Sequence, residues 1–181
     1  DGTIHDFHNG IEDIKAGVAR FVGDAGQRMD EDFLRILRFF RFQGRMATPN
    51  WDKDTLKKIK EKAPGLVGIS GERVWTEVSK ILSGNHTVEI LKKMEETDVA
   101  KHINLPLDNL KGLAQAKENT NSPSGLLSTL INTTEDLIKL RSMWKFSNPQ
   151  FAAIQFAIQH RDKLFNEKTA KLMLAQKAHP K

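Results

Sequence analysis

Arginines recur at helical spacing, beside an acidic pair, in the segment EDFLRILRFFRFQGR, residues 31–45. At about 100° per residue, the apolar side chains fall on one arc of a helix: Phe33, Ile36, Leu37, Phe39 and Phe40. The cations fall on the opposite arc: Arg35, Arg38, Arg41 and Arg45. Glu31 lies one turn before Arg35, in the orientation that favours an ion pair. The pattern predicts a helix with one buried face and one guanidinium face.

Guanidinium groups are suited to phosphate and nucleic acid because their donors form a planar fork. The whole chain is also basic, since 28 Lys and Arg residues against 23 Asp and Glu give a net charge of +5 and a pI near 9.4. This balance favours an anionic partner, nucleic acid above all, without requiring one. The alternative interpretation is a solvated helix face with ordinary ion pairs.

Several other kinds of site do not fit the sequence. Cysteine is absent, so thiol nucleophiles and cysteine–zinc sites are excluded. The cluster of His5, Asp6 and His8 does not have the spacing of a helical metal pair, and Asp30 and Asp32 diverge by about 200° on a helix. The common glycine-rich phosphate loops and the nucleophile elbow are missing. We therefore predict no metal site and no catalytic residue in this chain.

Two further expectations concern the aromatic residues and the location of the protein. Three tryptophans and ten phenylalanines could include base-stacking platforms, but helix-face positions favour core packing for most of them. No apolar run is long enough to span a bilayer, and no leader with a cleavage site is recognisable. We therefore expect no membrane association and a cytoplasmic location.

The elements that must position the arginines begin after a short N-terminal segment. Asn9-Gly10 and Ala16-Gly17 interrupt this segment and predict a β-hairpin. We expect the hairpin to pack on the following helices, because five of its apolar side chains would otherwise stay in water: Ile4, Phe7, Ile11, Val18 and Phe21. Asp30 is the predicted N-cap of the arginine helix, which should run to about Met46.

Helix signals continue to the end of the chain. The predicted starts are Asp52 or Asp54, Ser70, His86 or Thr87, about residue 108, Ser122-Pro123, Thr133 or Thr134, Ser147 or Asn148, and Asn166 or Glu167. The composition changes near Leu105, which is the predicted internal boundary. The sequence thus predicts a mainly α, multi-helical fold with a short N-terminal β-hairpin.

Three strings in order resemble the tRNA nucleotidyltransferase (CCA-adding enzyme) and bacterial poly(A) polymerase family. FHNGIEDIKAGVARFVGD is similar to the last strands of the family's head domain, and EDFLRILRFFRFQGR keeps its EDxxRxxRxxRF pattern. ISGERVWTEVSKIL is similar to a segment of the neck. The resemblance implies a head remnant over residues 1–23, a nucleotide-reading neck over 24–104 and an RNA-binding helical body over 105–181.

The resemblance also assigns roles to the charged residues. Asp32 and Arg35 match the positions that hydrogen-bond the base of the incoming nucleotide, and Arg38 matches a further nucleotide- or phosphate-binding arginine. Glu31 would orient Arg35. For the two remaining arginines, an RNA or phosphate contact and a structural role are equally open: Arg41 and Arg45.

Catalysis in this family depends on a head domain with carboxylates that hold Mg²⁺, and nothing before Asp6 matches them. The resemblance therefore implies a nucleotide- and RNA-binding portion, inactive alone, of an enzyme that uses CTP and ATP to add C and A to tRNA 3′ ends. Addition of A alone by a poly(A) polymerase stays open. The alternatives from other classes are a non-catalytic helical RNA-binding module and a helical domain whose arginines bind acidic protein partners.

Overall fold

The computed structural model describes residues 1–161, which form eleven α-helices and one short 3₁₀ helix. The α-helices, in chain order, are α1 Gly10–Ala16, α2 Ala25–Glu31, α3 Leu34–Gln43, α4 Lys53–Lys62, α5 Gly71–Ser83, α6 Thr87–Glu96, α7 Val99–His102, α8 Leu110–Lys117, α9 Pro123–Leu130, α10 Thr134–Trp144 and α11 Asn148–His160. The 3₁₀ helix covers Ala63–Gly68. The mainly α prediction is confirmed, and no helix within residues 1–161 is long and apolar enough to cross a membrane.

Side-chain caps explain why most predicted helix starts are confirmed. Asp52 accepts a hydrogen bond from the Thr55 amide at 2.7 Å, and Ser147 forms a complete capping box with Gln150. Such caps satisfy backbone donors that have no partner within the helix. The last predicted helix, from Asn166 or Glu167, lies outside the described residues.

The predicted N-terminal hairpin is wrong, because the segment contains α1 and no strand is present in residues 1–161. The Asp6 carboxylate accepts hydrogen bonds from the backbone amides of Gly10 at 2.7 Å and Ile11 at 2.9 Å, at the start of this helix. Gly17 ends the helix with φ 66°, a left-handed conformation that glycine adopts without strain. Local capping therefore decides the conformation of this segment.

The expected packing of this segment on the helices is wrong for most of its length. Ile4 is 75% exposed and Phe7 is 84% exposed, and no side chain of α1 is buried. Phe21 does pack, since its ring stacks on Phe39 of α3 with centroids 5.4 Å apart. The segment thus contacts the helical core through its C-terminal end.

The predicted arginine helix is divided into α2 and α3. Asp24, not Asp30, is its first cap, since the Asp24 side chain accepts a hydrogen bond from the Gln27 amide. The backbone of Asp32 is extended, with φ −159° and ψ 106°, so α2 ends before it. The Asp32 side chain and carbonyl then accept hydrogen bonds from the amides of Leu34 and Arg35. These bonds compete with a continuous helix because they satisfy the same amides.

The core forms around α3 and α5, which pack against each other. The predicted apolar arc of α3 is confirmed, because Ile36, Leu37, Phe39 and Phe40 are buried and only Phe33 is half-buried. Helix α5 also contacts α9 and α10, and Trp75 of α5 stacks on Trp144 of α10. Residues before and after the predicted boundary at Leu105 therefore share one continuous core.

Candidate nucleotide- and RNA-binding site

A cavity of about 670 Å³ separates the guanidinium side of α3 from residues 8–23. Its lining combines cations with aromatic rings: Arg28, Arg35, Arg38, Phe21, Phe39 and Phe42. Helix α3 brings most of these groups together because residues three and four positions apart lie on the same helix face. The cavity offers donors for phosphate or for a base, beside apolar surface.

Arg35 is fixed at the cavity by two acceptors. The Glu31 carboxylate pairs with its guanidinium, and the backbone carbonyl of Arg28 accepts from the same nitrogen, Nη1, at 2.9 Å. The hydrogen bond from Arg35 holds the pKa of Glu31 below its ordinary value. Both hydrogen bonds come from Nη1, so the other two guanidinium nitrogens of Arg35 can still donate hydrogen bonds to a ligand. The predicted contact between Glu31 and Arg35 is therefore present.

Asp32 lies between α2 and α3 and is not part of the cavity lining. Its Oδ1 accepts from the Leu34 amide at 3.1 Å, and its Oδ2 accepts from Nη2 of Arg73 at 2.7 Å. Partial burial by itself raises the pKa of Asp32, but the bonds from Arg73 and Leu34 outweigh it and keep the pKa below its ordinary value. The carboxylate is therefore ionised at neutral pH and can accept further hydrogen bonds.

Arg41 differs from the other arginines of α3 because it faces the interior. Its Nε lies 3.2 Å from Oε2 of Glu77 in α5, and the two side chains are only 11% and 7% exposed. Neither of these two atoms has a hydrogen bond of good geometry within residues 1–161. The placement favours the structural role that the sequence left open for Arg41.

Arg38 and Arg45 are the exposed cations of the predicted arginine helix, but α3 ends at Gln43 instead of about Met46, so Arg45 lies in the turn that follows it. Neither forms an ion pair within residues 1–161, whereas Arg35 and Arg41 each do. Arg38 lines the cavity, and the guanidinium of Arg45 lies 5.7 Å from the ring centroid of Phe42. Both side chains are therefore available to an anion.

Sequence reasoning missed three residues of the site. Arg73 binds Asp32 from a position 41 residues further along the chain, and Arg28 and Phe42 line the cavity. The segment ISGERVWTEVSKIL contains Arg73, but its spacing gives no indication of the partner. The signal for Phe42 is its position seven residues after Arg35, which places both on one helix face.

Metal ligands were not predicted for this chain, and within residues 1–161 no group of three or more His, Asp or Glu side chains could hold a metal ion. The cluster of His5, Asp6 and His8 is exposed, and the Asp6 carboxylate accepts a hydrogen bond from the backbone amide of Gly10 at the start of α1. The lining of the cavity, by contrast, consists largely of basic and apolar groups.

The fold and the cavity define a class of protein: an α-helical chain with a basic, partly aromatic cavity. A family model described as the probable RNA and SrmB-binding site of polymerase A matches residues 50–109. The human mitochondrial CCA tRNA nucleotidyltransferase 1 is 41% identical over 171 residues, which cover 91% of this chain and 39% of that protein. The chain thus spans about two fifths of the length of this curated relative.

Solved structures agree on the fold. The Thermotoga maritima CCA-adding enzyme complexed with tRNA matches with a TM-score of 0.64 at 22% identity, over 94% of this chain and 43% of that one. A tRNA-processing enzyme with CTP matches with a TM-score of 0.68 at 20% identity, over 98% of this chain and 51% of that one. The chain belongs to the tRNA nucleotidyltransferase and poly(A) polymerase family, as the three sequence strings indicated. The human relative is mitochondrial by name, so the cytoplasmic location stays a prediction.

Proposed function

We propose that this chain is the nucleotide- and tRNA-binding part of a tRNA nucleotidyltransferase that adds C and A to tRNA 3′ ends. The observation that carries the proposal is the 41% identity to the human CCA tRNA nucleotidyltransferase along 91% of this chain. The cavity lined by Arg35 and Arg38 supports it. Structural neighbours include CCA-adding enzymes in complex with CTP and with ATP. The substrates proposed for the whole enzyme are CTP, ATP and tRNA.

Asp32 and Arg35 are the proposed base-reading pair. Only Arg35 lines the cavity, and Asp32 lies three residues before it, at the junction of α2 and α3. Cytosine and adenine both present an amino donor beside a ring-nitrogen acceptor on the pairing edge, whereas uracil and guanine present the opposite polarity. An ionised Asp32 would accept from the amino group, and a free donor of Arg35 would bind the ring nitrogen. A well-formed contact of this kind discriminates by about 1–3 kcal/mol in side-chain readout of bases. Arg73 and Glu31 would hold the two groups in place.

Phosphate binding is proposed for the exposed cations. Arg38 lies on the cavity one turn beyond Arg35 and would contact the nucleotide phosphates, and Arg45 would contact the RNA backbone. We assign Arg41 to the structural ion pair with Glu77. The transfer step itself would need Mg²⁺ held by carboxylates of a head domain, and we expect no nucleotide transfer by this chain alone.

Titration with the four nucleoside triphosphates tests the proposal. The chain should bind CTP and ATP more tightly than UTP and GTP, by roughly 5- to 100-fold. Asp32→Ala and Arg35→Ala should each abolish this preference, because each removes one side of the base-edge contact. Asp54→Ala, which removes an exposed carboxylate of α4, is the control and should retain the preference. Equal binding of all four nucleotides by the unmodified chain would contradict the proposal.

A second candidate function is RNA binding without nucleotide selection, which the family model over residues 50–109 favours. In that case tRNA would bind with a strong salt dependence, and the four nucleotides would bind equally or not at all. Preference for ATP over CTP would instead indicate a poly(A) polymerase. Failure to bind either tRNA or nucleotides would favour a domain that binds acidic protein partners.

A further inference from the structure

Phe42 is an aromatic side chain that α3 leaves in solvent at the cavity. It is 37% exposed, whereas Phe39 and Phe40 on the same helix are 6% and 0% exposed. Its ring lines the same cavity as Arg35 and Arg38. Core packing alone does not account for this position, because more than a third of the Phe42 side chain stays in contact with solvent.

Two guanidinium groups lie near this ring. Arg41 lies 4.5 Å from the ring centroid and is held in place by Glu77, whereas Arg45 lies 5.7 Å away and is exposed. Proteins that bind single-stranded nucleic acid combine an aromatic face with nearby cations, because a base stacks on the ring while a cation binds the adjoining phosphate.

Helical register relates this ring to the proposed base-reading pair. Arg35, Arg38 and Phe42 lie at positions i, i+3 and i+7, so they share one face of α3. Seven residues of α-helix advance by roughly 10 Å. Stacked nucleotides advance by about 3.4 Å along one strand, so this distance corresponds to about three stacked steps.

We propose that Phe42 is a stacking platform for an unpaired nucleotide near the 3′ end of the RNA substrate, with Arg45 on the neighbouring phosphate. The proposal rests on the proposed function for the position of the incoming nucleotide beside Arg35. It adds a residue that binds the acceptor strand and not the nucleoside triphosphate. Because every base has an aromatic face, the contact should tolerate any base.

Two RNA hairpins with the same duplex, one blunt and one with three unpaired 3′ nucleotides, test the proposal in the absence of nucleoside triphosphates. The unmodified chain should prefer the RNA with the unpaired end. Phe42→Leu, which keeps an apolar side chain but removes the aromatic face, should weaken binding of that RNA by roughly 5- to 100-fold and leave the blunt RNA unaffected. Phe42→Trp should retain the preference because it restores a stacking surface.

Phe156 provides a matched control, since it is 38% exposed and lies on α11 away from the cavity. Phe156→Leu should not change the preference for the unpaired end. An unchanged preference in Phe42→Leu, or an equal loss for both RNAs, would overturn the stacking platform. The test is independent of the base-reading pair, because loss of CTP and ATP selectivity is measured with nucleotides and this preference is measured without them.

Discussion

The Asp32 carboxylate connects two elements that are distant in sequence. One oxygen accepts from the Leu34 amide within α3, and the other accepts from Arg73 in α5. A carboxylate offers about four lone-pair positions, so these two bonds orient the group without saturating it. Arg73 thereby acts on the proposed base-reading site through Asp32, as a positioning residue.

Replacing Arg73 should raise the pKa of Asp32. In the intact protein the pKa of Asp32 lies below its ordinary value, so ionised Asp32 stabilises the folded state. This stabilisation is present above the pKa that Asp32 has in the unfolded chain, and it is lost as the pH falls through the lower pKa of the folded protein. Arg73→Ala should make the loss of folding stability at acidic pH smaller. NMR titration of the Asp32 carboxyl carbon measures the pKa directly. Arg141→Ala, which removes an arginine bound to Asn148, should leave this pKa unchanged. The same pKa in all three proteins would contradict the role of Arg73.

Helices α3 and α5 are held in register by a buried ion pair as well as by apolar contacts. Arg41 and Glu77 are the paired side chains, and both are almost completely removed from solvent. Burial of two charges is costly, so the pair is favourable only while both partners are present. We expect this pair to restrict how the arginine face of α3 is rotated relative to α5.

Removing one partner should therefore be more harmful than removing both. Glu77→Ala leaves the Arg41 charge buried without its partner and should lower the free energy of unfolding by about 3–5 kcal/mol. The double variant Arg41→Met with Glu77→Leu should lose much less, because no charge is left in the interior. Urea denaturation of the three proteins measures the difference. If the single and double variants lose the same free energy of unfolding, the stability does not depend on keeping both partners of the Arg41–Glu77 pair together.

The junction between α5 and α10 joins the predicted neck and body into one core. Trp75, Trp144 and Phe146 form an aromatic cluster there, with ring centroids 4.9–6.0 Å apart. Gly71 at the start of α5 allows the close approach, because a Cβ at this position would lie 1.7 Å from the carbonyl oxygen of Met143. The backbones of the two helices therefore meet without an intervening side chain.

Gly71→Ala should destabilise the whole chain, because the added methyl group requires the two helices to separate. We expect a loss of at least about 1–3 kcal/mol in the free energy of unfolding, as for other overpacked contacts. Thermal denaturation by circular dichroism measures it. Gly68→Ala is the matched control, since no atom lies within 4 Å of its added Cβ. Equal stability of the two variants would contradict a close junction at Gly71.

The sequence by itself determined the helical class, most helix starts and the buried arc of α3. These features depend on neighbours in the chain, since caps and apolar periodicity act over three or four residues. The same local effects explain the error over residues 1–23, where turn residues were interpreted as a hairpin and the capping by Asp6 was missed. The family resemblance was also readable, because it rests on strings of residues.

Only the tertiary structure decided which charges are available to a ligand. Spacing placed four arginines on one face of a helix, but the packing of α5 on α3 turns Arg41 toward Glu77 and brings Arg73 to Asp32. The cavity that holds Arg35, Arg38 and Phe42 likewise needs residues 8–23 on its other side. Such contacts join positions tens of residues apart, so no local pattern encodes them, and they depend on how the helices pack.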